Sequence, residues 1–276
     1  MFWRGISPLE ANAMSAAPPS PTPDYAIETE GLTRRFGEFV AVDNVTLKIP
    51  KGQLYGFLGL NGAGKTTTIR ILTTLLPPSA GIARLWGHDV VKEPLAVRKL
   101  IGLVSDETSE SQSTWTACEY LSYFARIRHL PNPDDEVGRI LDDVGLDTKF
   151  RGKLICTYST GMKRRVEIAR ALMGRPKVLF LDEPTRGLDL PAKHDMWNLL
   201  RRLAATESVT TFLSSHDAQE IRTLCSEISV IARGRLVHTG ATHEMGGDID
   251  AFEERLVGML TQSECGEPAA RTFAPK

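Results

Sequence analysis

The stretch Gly59-Leu60-Asn61-Gly62-Ala63-Gly64-Lys65-Thr66-Thr67 combines glycines, a lysine and two hydroxyls in the spacing G-x-x-x-x-G-K-[ST]. That chemistry suits polyphosphate. An anion needs many donors at close range, and bulky side chains would obstruct their approach. Glycines at 59, 62 and 64 let backbone N–H groups turn inward. A helix starting here adds its own unpaired N–H groups and its positive dipole end. Lys65 would reach the β- and γ-phosphates, and the Thr66 hydroxyl would bind Mg2+. A Gly-rich turn could match by chance, but in a chain of 276 residues such a match is on the order of one in a hundred. The stretch predicts nucleotide binding.

Four further groups could do chemistry beside it. Val178-Leu179-Phe180-Leu181 is an apolar run ending in paired carboxylates, Asp182-Glu183. In a phosphate-loop enzyme Asp182 would hold Mg2+ through water, and Glu183 would polarise the attacking water. Alone, an Asp-Glu pair after a strand reads as an exposed turn. Tyr158-Ser159-Thr160-Gly161-Met162 stands at a helix start, where N–H groups could face another phosphate. Gly187-Leu188-Asp189 is the third group. Ser214-Ser215-His216 is the fourth, at a strand end, where an imidazole could contact a γ-phosphate.

The elements that must position these groups alternate between strand and helix. Leu54 to Leu58 reads as a buried strand, and Thr66 to Leu76 as a helix with Ile69, Leu72 and Leu76 on one face. Strands are expected over 26–29, 40–49, 82–86, 100–104, 178–181 and 209–213, and a hairpin over 228–238 around Gly234. Residues 105–157 predict a helical insertion, with helices over 116–129 and 135–144 separated by Pro131-Asn132-Pro133. Further helices are expected over 164–173, 191–204, 217–225 and 249–260. Asp217 followed by Glu220 reads as a capping box opening the 217–225 helix. This order predicts an α/β chain with a mainly parallel sheet covered on both faces.

Composition excludes several classes. There are 33 Lys+Arg against 34 Asp+Glu, a net charge of −1, so no global charge points to nucleic acid or an anionic surface. The basic run Lys163-Arg164-Arg165 reads as a solvated helix face. No apolar run approaches the roughly 18 residues of a membrane span. Cys118, Cys156, Cys225 and Cys265 are scattered without a C-x-x-C and read as reduced thiols. These features predict a cytoplasmic chain that meets a membrane through a partner. Residues 1–24, rich in Ala, Pro and Ser, read as a disordered extension, and Met14 as a possible true start.

With these motifs in this order, residues 25–240 resemble the ATP-binding cassette (ABC) family. The resemblance implies a P-loop NTPase core with an antiparallel β subdomain and a helical subdomain at about 105–165, followed by a short helix and tail over 241–276. It makes Gly59 to Thr66, with Leu60, Asn61, Ala63 and Thr67, the ATP-binding loop. Asp182 becomes an Mg2+ residue, Glu183 the catalytic glutamate and His216 the switch histidine. Ser159 and Gly161 belong to the signature, here Tyr-Ser-Thr-Gly-Met, and Asp189 to the D-loop. Phe36 matches the aromatic that stacks on adenine, with a strand-end core residue as its competing reading. Asp106 occupies the position of a glutamine that meets Mg2+; Glu107 or Gln112 could serve instead if the loop is shifted.

The resemblance also implies a mechanism. Two domains pair head to tail around ATP, and Ser159 and Gly161 serve the partner's nucleotide. One set of motifs then requires a homodimer or a similar second subunit, with a separate transmembrane permease. The form of the motifs is most like two-gene exporters. A non-transport ATPase that assembles or regulates a soluble complex is the alternative, and a poorly hydrolysing regulatory cassette is a third option.

Overall fold

The computed structural model describes residues 25–105, 114–206 and 209–264. The expected N-terminal extension, Met14, Asp106, Glu107, Gln112 and Cys265 lie outside the described residues.

Two sheets carry the fold. A six-stranded sheet has the order β10 (Arg235–Ala241), β9 (Glu227–Ala232), β3 (Leu54–Leu58), β8 (Thr210–Ser215), β7 (Val178–Asp182), β6 (Ile101–Val104). Its neighbours from β9 to β6 pair parallel, and β10 returns antiparallel to β9. The second sheet is antiparallel, in the order β2 (Phe39–Pro50), β1 (Tyr25–Phe36), β4 (Ala80–Leu85), β5 (His88–Asp89). This is the expected α/β architecture with an antiparallel β subdomain.

Every residue of β3, β7 and β8 is buried because both faces of the sheet are covered. In β3 each of the five residues is buried. Leu54 and Leu58 join the core under the helices, while Tyr55 and Phe57 join a second core shared with the antiparallel sheet. β7 splits likewise, with Leu179 and Leu181 on one side and Val178 and Phe180 on the other. Phe57 and Phe180 flank Phe212, with ring centroids 5.1 and 5.6 Å away. Gly102 in β6 is small for a physical reason. A Cβ there would lie 2.1 Å from the carbonyl oxygen of Ala171 on the crossing helix α6 (Thr160–Leu172).

Helices α1 (Lys65–Leu72), α2 (Pro94–Leu100), α3 (Ala117–Ile127), α4 (Pro133–Asp143) and α5 (Thr148–Arg151) precede α6. After it come α7 (Leu190–Thr206), α8 (Ala218–Leu224) and α9 (Ile249–Glu264). The sequence reading did not anticipate α2 and α5, which are short and carry little periodicity. α1 stops at Leu72 rather than Leu76, because Thr74 adopts a positive φ of 64°. α3 opens with a capping box in which Glu119 returns to the Thr116 N–H at 2.9 Å. The predicted stripe Val137, Ile140, Leu141 and Val144 is buried.

The basic run on α6 corrects the expectation of a solvated face. Arg164 is buried, and the Arg165 guanidinium donates to the Val144 carbonyl at 2.6 Å, tying α6 to the end of α4. Among the described residues no helix is long and apolar enough to cross a membrane.

Candidate ATP-hydrolysing site

The phosphate loop, Asp182-Glu183 and Ser214-Ser215-His216 converge at the carboxyl ends of β3, β7 and β8, where parallel α/β sheets bind ligands. The register explains the convergence. β8 lies between β3 and β7, so its last residues can bond to both neighbours. The Ser215 carbonyl accepts the Gly59 N–H at 3.2 Å, and the Ser214 carbonyl accepts the Glu183 N–H at 3.1 Å. The phosphate loop and the carboxylate pair are thus fastened to opposite edges of one strand end.

The loop itself is shaped for an anion. Gly62 and Gly64 have φ of 79° and 110°, values that favour glycine. A Cβ on Gly64 would meet the Ala41 carbonyl oxygen at 2.4 Å, so β2 presses directly on the loop. Gly64 starts α1 without any side-chain cap, and no acidic residue stands in the first turn. No side chain therefore competes for the donors of that turn, and their partial positive charge is uncancelled. Thr66 is exposed beside them. Loop and donors fit a polyphosphate.

Lys65 is 5% exposed, and its ammonium donates to the carbonyls of Gly59 at 2.8 Å and Leu60 at 3.2 Å. It also lies 3.1 Å from Glu183 Oε1. The other Glu183 oxygen is 2.9 Å from His216 Nδ1. Glu183 holds this position with φ of 49°, an uncommon conformation for a residue with a Cβ. Beside it, Asp182 is buried and accepts the Ser214 hydroxyl at 2.5 Å. An ammonium and an imidazole thus each lie within hydrogen-bond reach of one carboxylate, an arrangement suited to in-line attack of water on a bound phosphoryl group.

Asp182 and Thr66 are the residues that could hold Mg2+. Among the described residues no cluster of three or more His, Cys, Asp or Glu could hold a metal by itself. Two oxygen donors supplemented by substrate phosphates suit Mg2+, which is rarely caged by protein alone.

A concavity opens in front of this cluster, with Asn61, Glu183, Gly187, Lys193 and His216 in its lining. Asp189 caps α7, its carboxylate accepting the Ala192 N–H at 2.9 Å. Ser159 caps α6, accepting the Met162 N–H at 3.2 Å. Ser159 and Gly161 do not line the concavity. Gly161 faces α7 instead, where a Cβ would lie 3.6 Å from the Ala192 Cβ. Phe36 ends β1, 47% exposed, with the Arg34 guanidinium 4.7 Å above its ring. It is not a core residue, so the competing reading falls.

Sequence reasoning missed Thr185, Lys193, Trp197 and Glu220, which are bonded to one another or to the residues flanking the cluster. Glu220 was expected to complete a capping box. Its backbone N–H does bond to Asp217 Oδ1 at 2.9 Å, but its carboxylate turns inward, and the Asp217 N–H goes to Ser215 Oγ at 3.0 Å. Burial pushes the Glu220 carboxyl above the usual range, against the opposing effect of its hydrogen bonds to Ser215, Thr185 and Trp197.

Comparison with known proteins agrees with this geometry. A family model described as ABC transporter matches residues 42–186. The daunorubicin/doxorubicin resistance ATP-binding protein DrrA of Streptomyces peucetius is 38% identical over 85% of this chain and 71% of its own. The Nod factor export ATP-binding protein I of Ralstonia nicotianae is 36% identical over 88% of this chain and 78% of its own. Among solved structures, a cbiO1 subunit of an ABC transporter complex from Clostridium perfringens superposes with a TM-score of 0.76 and 26% identity, covering 88% of this chain and 100% of that one. The chain belongs to the ABC transporter family, as an ATP-binding and ATP-hydrolysing subunit of the exporter type.

Proposed function

We propose that this subunit energises export through a separate transmembrane permease, on the cytoplasmic face of the membrane, and that it works as a head-to-tail pair with itself or a similar subunit. The observation that carries the proposal is the touching set of Lys65, Glu183 and His216 in front of the uncapped start of α1. Glu183 acts as general base toward the attacking water. His216, held on the same carboxylate, faces the γ-phosphate, and Lys65 transfers from Glu183 to the phosphate oxygens when nucleotide arrives. Thr66 and Asp182 hold Mg2+, which would screen phosphate charge. Phe36 stacks on the adenine. Asp106 is the proposed further Mg2+ residue.

On this reading Ser159 and Gly161, at the start of α6, serve the nucleotide of the partner subunit. The chain divides, on this reading, into the extension over 1–24, the ATPase unit over 25–240 with its helical subdomain at about 105–165, and the C-terminal helix and tail over 241–276. The relatives' names, resistance to daunorubicin and export of Nod factor, support cargo that leaves the cell. The net charge of −1 gives no support to a nucleic-acid partner.

The test is affinity capture from gently extracted native membranes with ATP present, with partners identified by mass. An integral membrane protein without its own cassette, recovered in near-equal amount, is the expected result. Recovery of soluble partners alone, with the chain absent from membranes, would favour an ATPase that assembles a soluble complex.

A further inference from the structure

Glu220 is 1% exposed, yet its carboxylate has three donors around it. The Ser215 hydroxyl donates to Oε2 at 2.6 Å. The Thr185 hydroxyl and the Trp197 indole N–H donate to Oε1 at 2.8 and 3.1 Å. Each donor sits on a different working part of the molecule. Ser215 precedes His216, and by also accepting the Asp217 N–H it closes the chain over the histidine from both sides. Thr185 follows Glu183 by two residues. Trp197 projects from α7, the helix capped by Asp189. A second tie runs parallel, because Asp217 is ion-paired with Lys193, one turn into α7.

We infer that Glu220 is a positioning residue for hydrolysis: it binds the His216 loop and the Glu183 loop to α7, so that the imidazole and the catalytic carboxylate meet at bonding distance. The inference rests on the proposed roles of Glu183 and His216. Its physical basis is the cost of a buried carboxylate that loses a partner. All three groups donate, and a carboxylate can accept all three. A slip of either loop would strand a buried acceptor, so the network has one low-energy arrangement. The 2.9 Å contact between Glu183 and His216 is then set from behind. Because the anchor is α7, a movement at Asp189 is carried to His216 without passing through the nucleotide.

The test uses the full chain and compares Glu220→Ala, Glu220→Gln, Ser215→Ala, His216→Ala and the double variant Glu220→Ala with His216→Ala. Three quantities are read: kcat for ATP, the Kd of a fluorescent ATP analogue, and the ring 15N shifts of His216 in nucleotide-free protein. Glu220→Ala should lower kcat by about 10- to 100-fold, the scale on which misplaced catalytic groups act. It should leave Kd unchanged and move the His216 Nδ1 resonance. Glu220→Gln should recover much of the rate, since its amide oxygen still accepts from Thr185 and Trp197.

In the His216→Ala background, Glu220→Ala should cost nothing more, because a residue that acts through another is non-additive with it. Additive losses, or a wild-type rate in Glu220→Ala, would overturn the inference alone. A wild-type rate in His216→Ala would overturn the catalytic reading, and the inference with it. Should Glu220→Ala fail to fold, Ser215→Ala removes one hydroxyl and meets the same comparison with His216→Ala.

Discussion

Lys65 and Glu183 face each other 3.1 Å apart, both nearly buried. At an effective dielectric near 20 the gross attraction of such a pair is about 5 kcal/mol. Desolvation of each ion costs several kcal/mol, so the pair adds little net stability. Its value lies in placement. Lys65 also donates to two loop carbonyls, and it keeps these when Glu183 becomes neutral. Glu183→Gln should therefore fold and bind ATP with near wild-type affinity, while kcat falls by about 10²- to 10⁴-fold, the usual contribution of a general base. Single-turnover hydrolysis beside nucleotide titration checks this, and unchanged turnover would remove Glu183 from that role. Glu220 gives a second residue-scale prediction. Its carboxyl is raised above the ordinary range by burial, so the folded state binds the proton more tightly than the unfolded chain. That contribution to stability is full below the unfolded pKa of about 4.3 and is lost as pH rises through the folded value. The unfolding free energy of the native protein, less that of Glu220→Gln, should thus decline as pH rises above about 4.3 and then level. A difference independent of pH would contradict it.

Elements do the aiming. β8 ends between β3 and β7, and three adjacent residues at its tip reach the phosphate loop, Asp182 and Glu183. No loop has to reach across the molecule. β2 fits closely against the loop at Gly64. Gly64→Ala brings a Cβ to within 2.4 Å of the Ala41 carbonyl and demands φ of 110° from an alanine. A conformation that sparsely populated costs on the order of 1–3 kcal/mol, before the clash. The expected outcome is a lower denaturation midpoint together with weakened nucleotide binding, seen by chemical denaturation and by titration. A variant with native stability and affinity would show that β2 yields. At the same scale, α6 is tied to the helical segment by the Arg165 bond to Val144 and packed on β6 through Gly102. Motion of the helical segment would therefore be felt at the Ser159 cap.

For the whole molecule, the proposed head-to-tail pairing through Ser159 and Gly161 has a consequence in solution. Glu183→Gln, which traps ATP, should shift from monomer to dimer on adding ATP with Mg2+, measured by light scattering after gel filtration. Lys65→Ala should abolish the shift. A Glu183→Gln protein that stays monomeric at saturating ATP would argue against a site shared between two subunits.

The phosphate-binding motif, its neighbouring polar groups and most of the elements were legible in the residues alone. Gly59 to Thr66, Asp182-Glu183 and Ser214-Ser215-His216 were legible because a phosphate site needs small residues, an ammonium and carboxylates at short, local spacings. The strands were legible because burial on both faces favours apolar runs, as in Leu54–Leu58 and in the first four residues of Val178–Asp182. Contacts between residues far apart in the chain emerged only with the fold. Arg164 reads as a solvated residue and is buried; Phe36 could have been core and is half-exposed. Glu220 sits at the right spacing for a capping box, and local energetics favour that use. Thr185 and Trp197, 35 and 23 residues away, outbid it once the fold brings their donors to one buried acceptor. A local pattern states which bonds a side chain can make; burial and proximity settle which one it makes, because an unpaired buried polar group costs more than a surface cap returns.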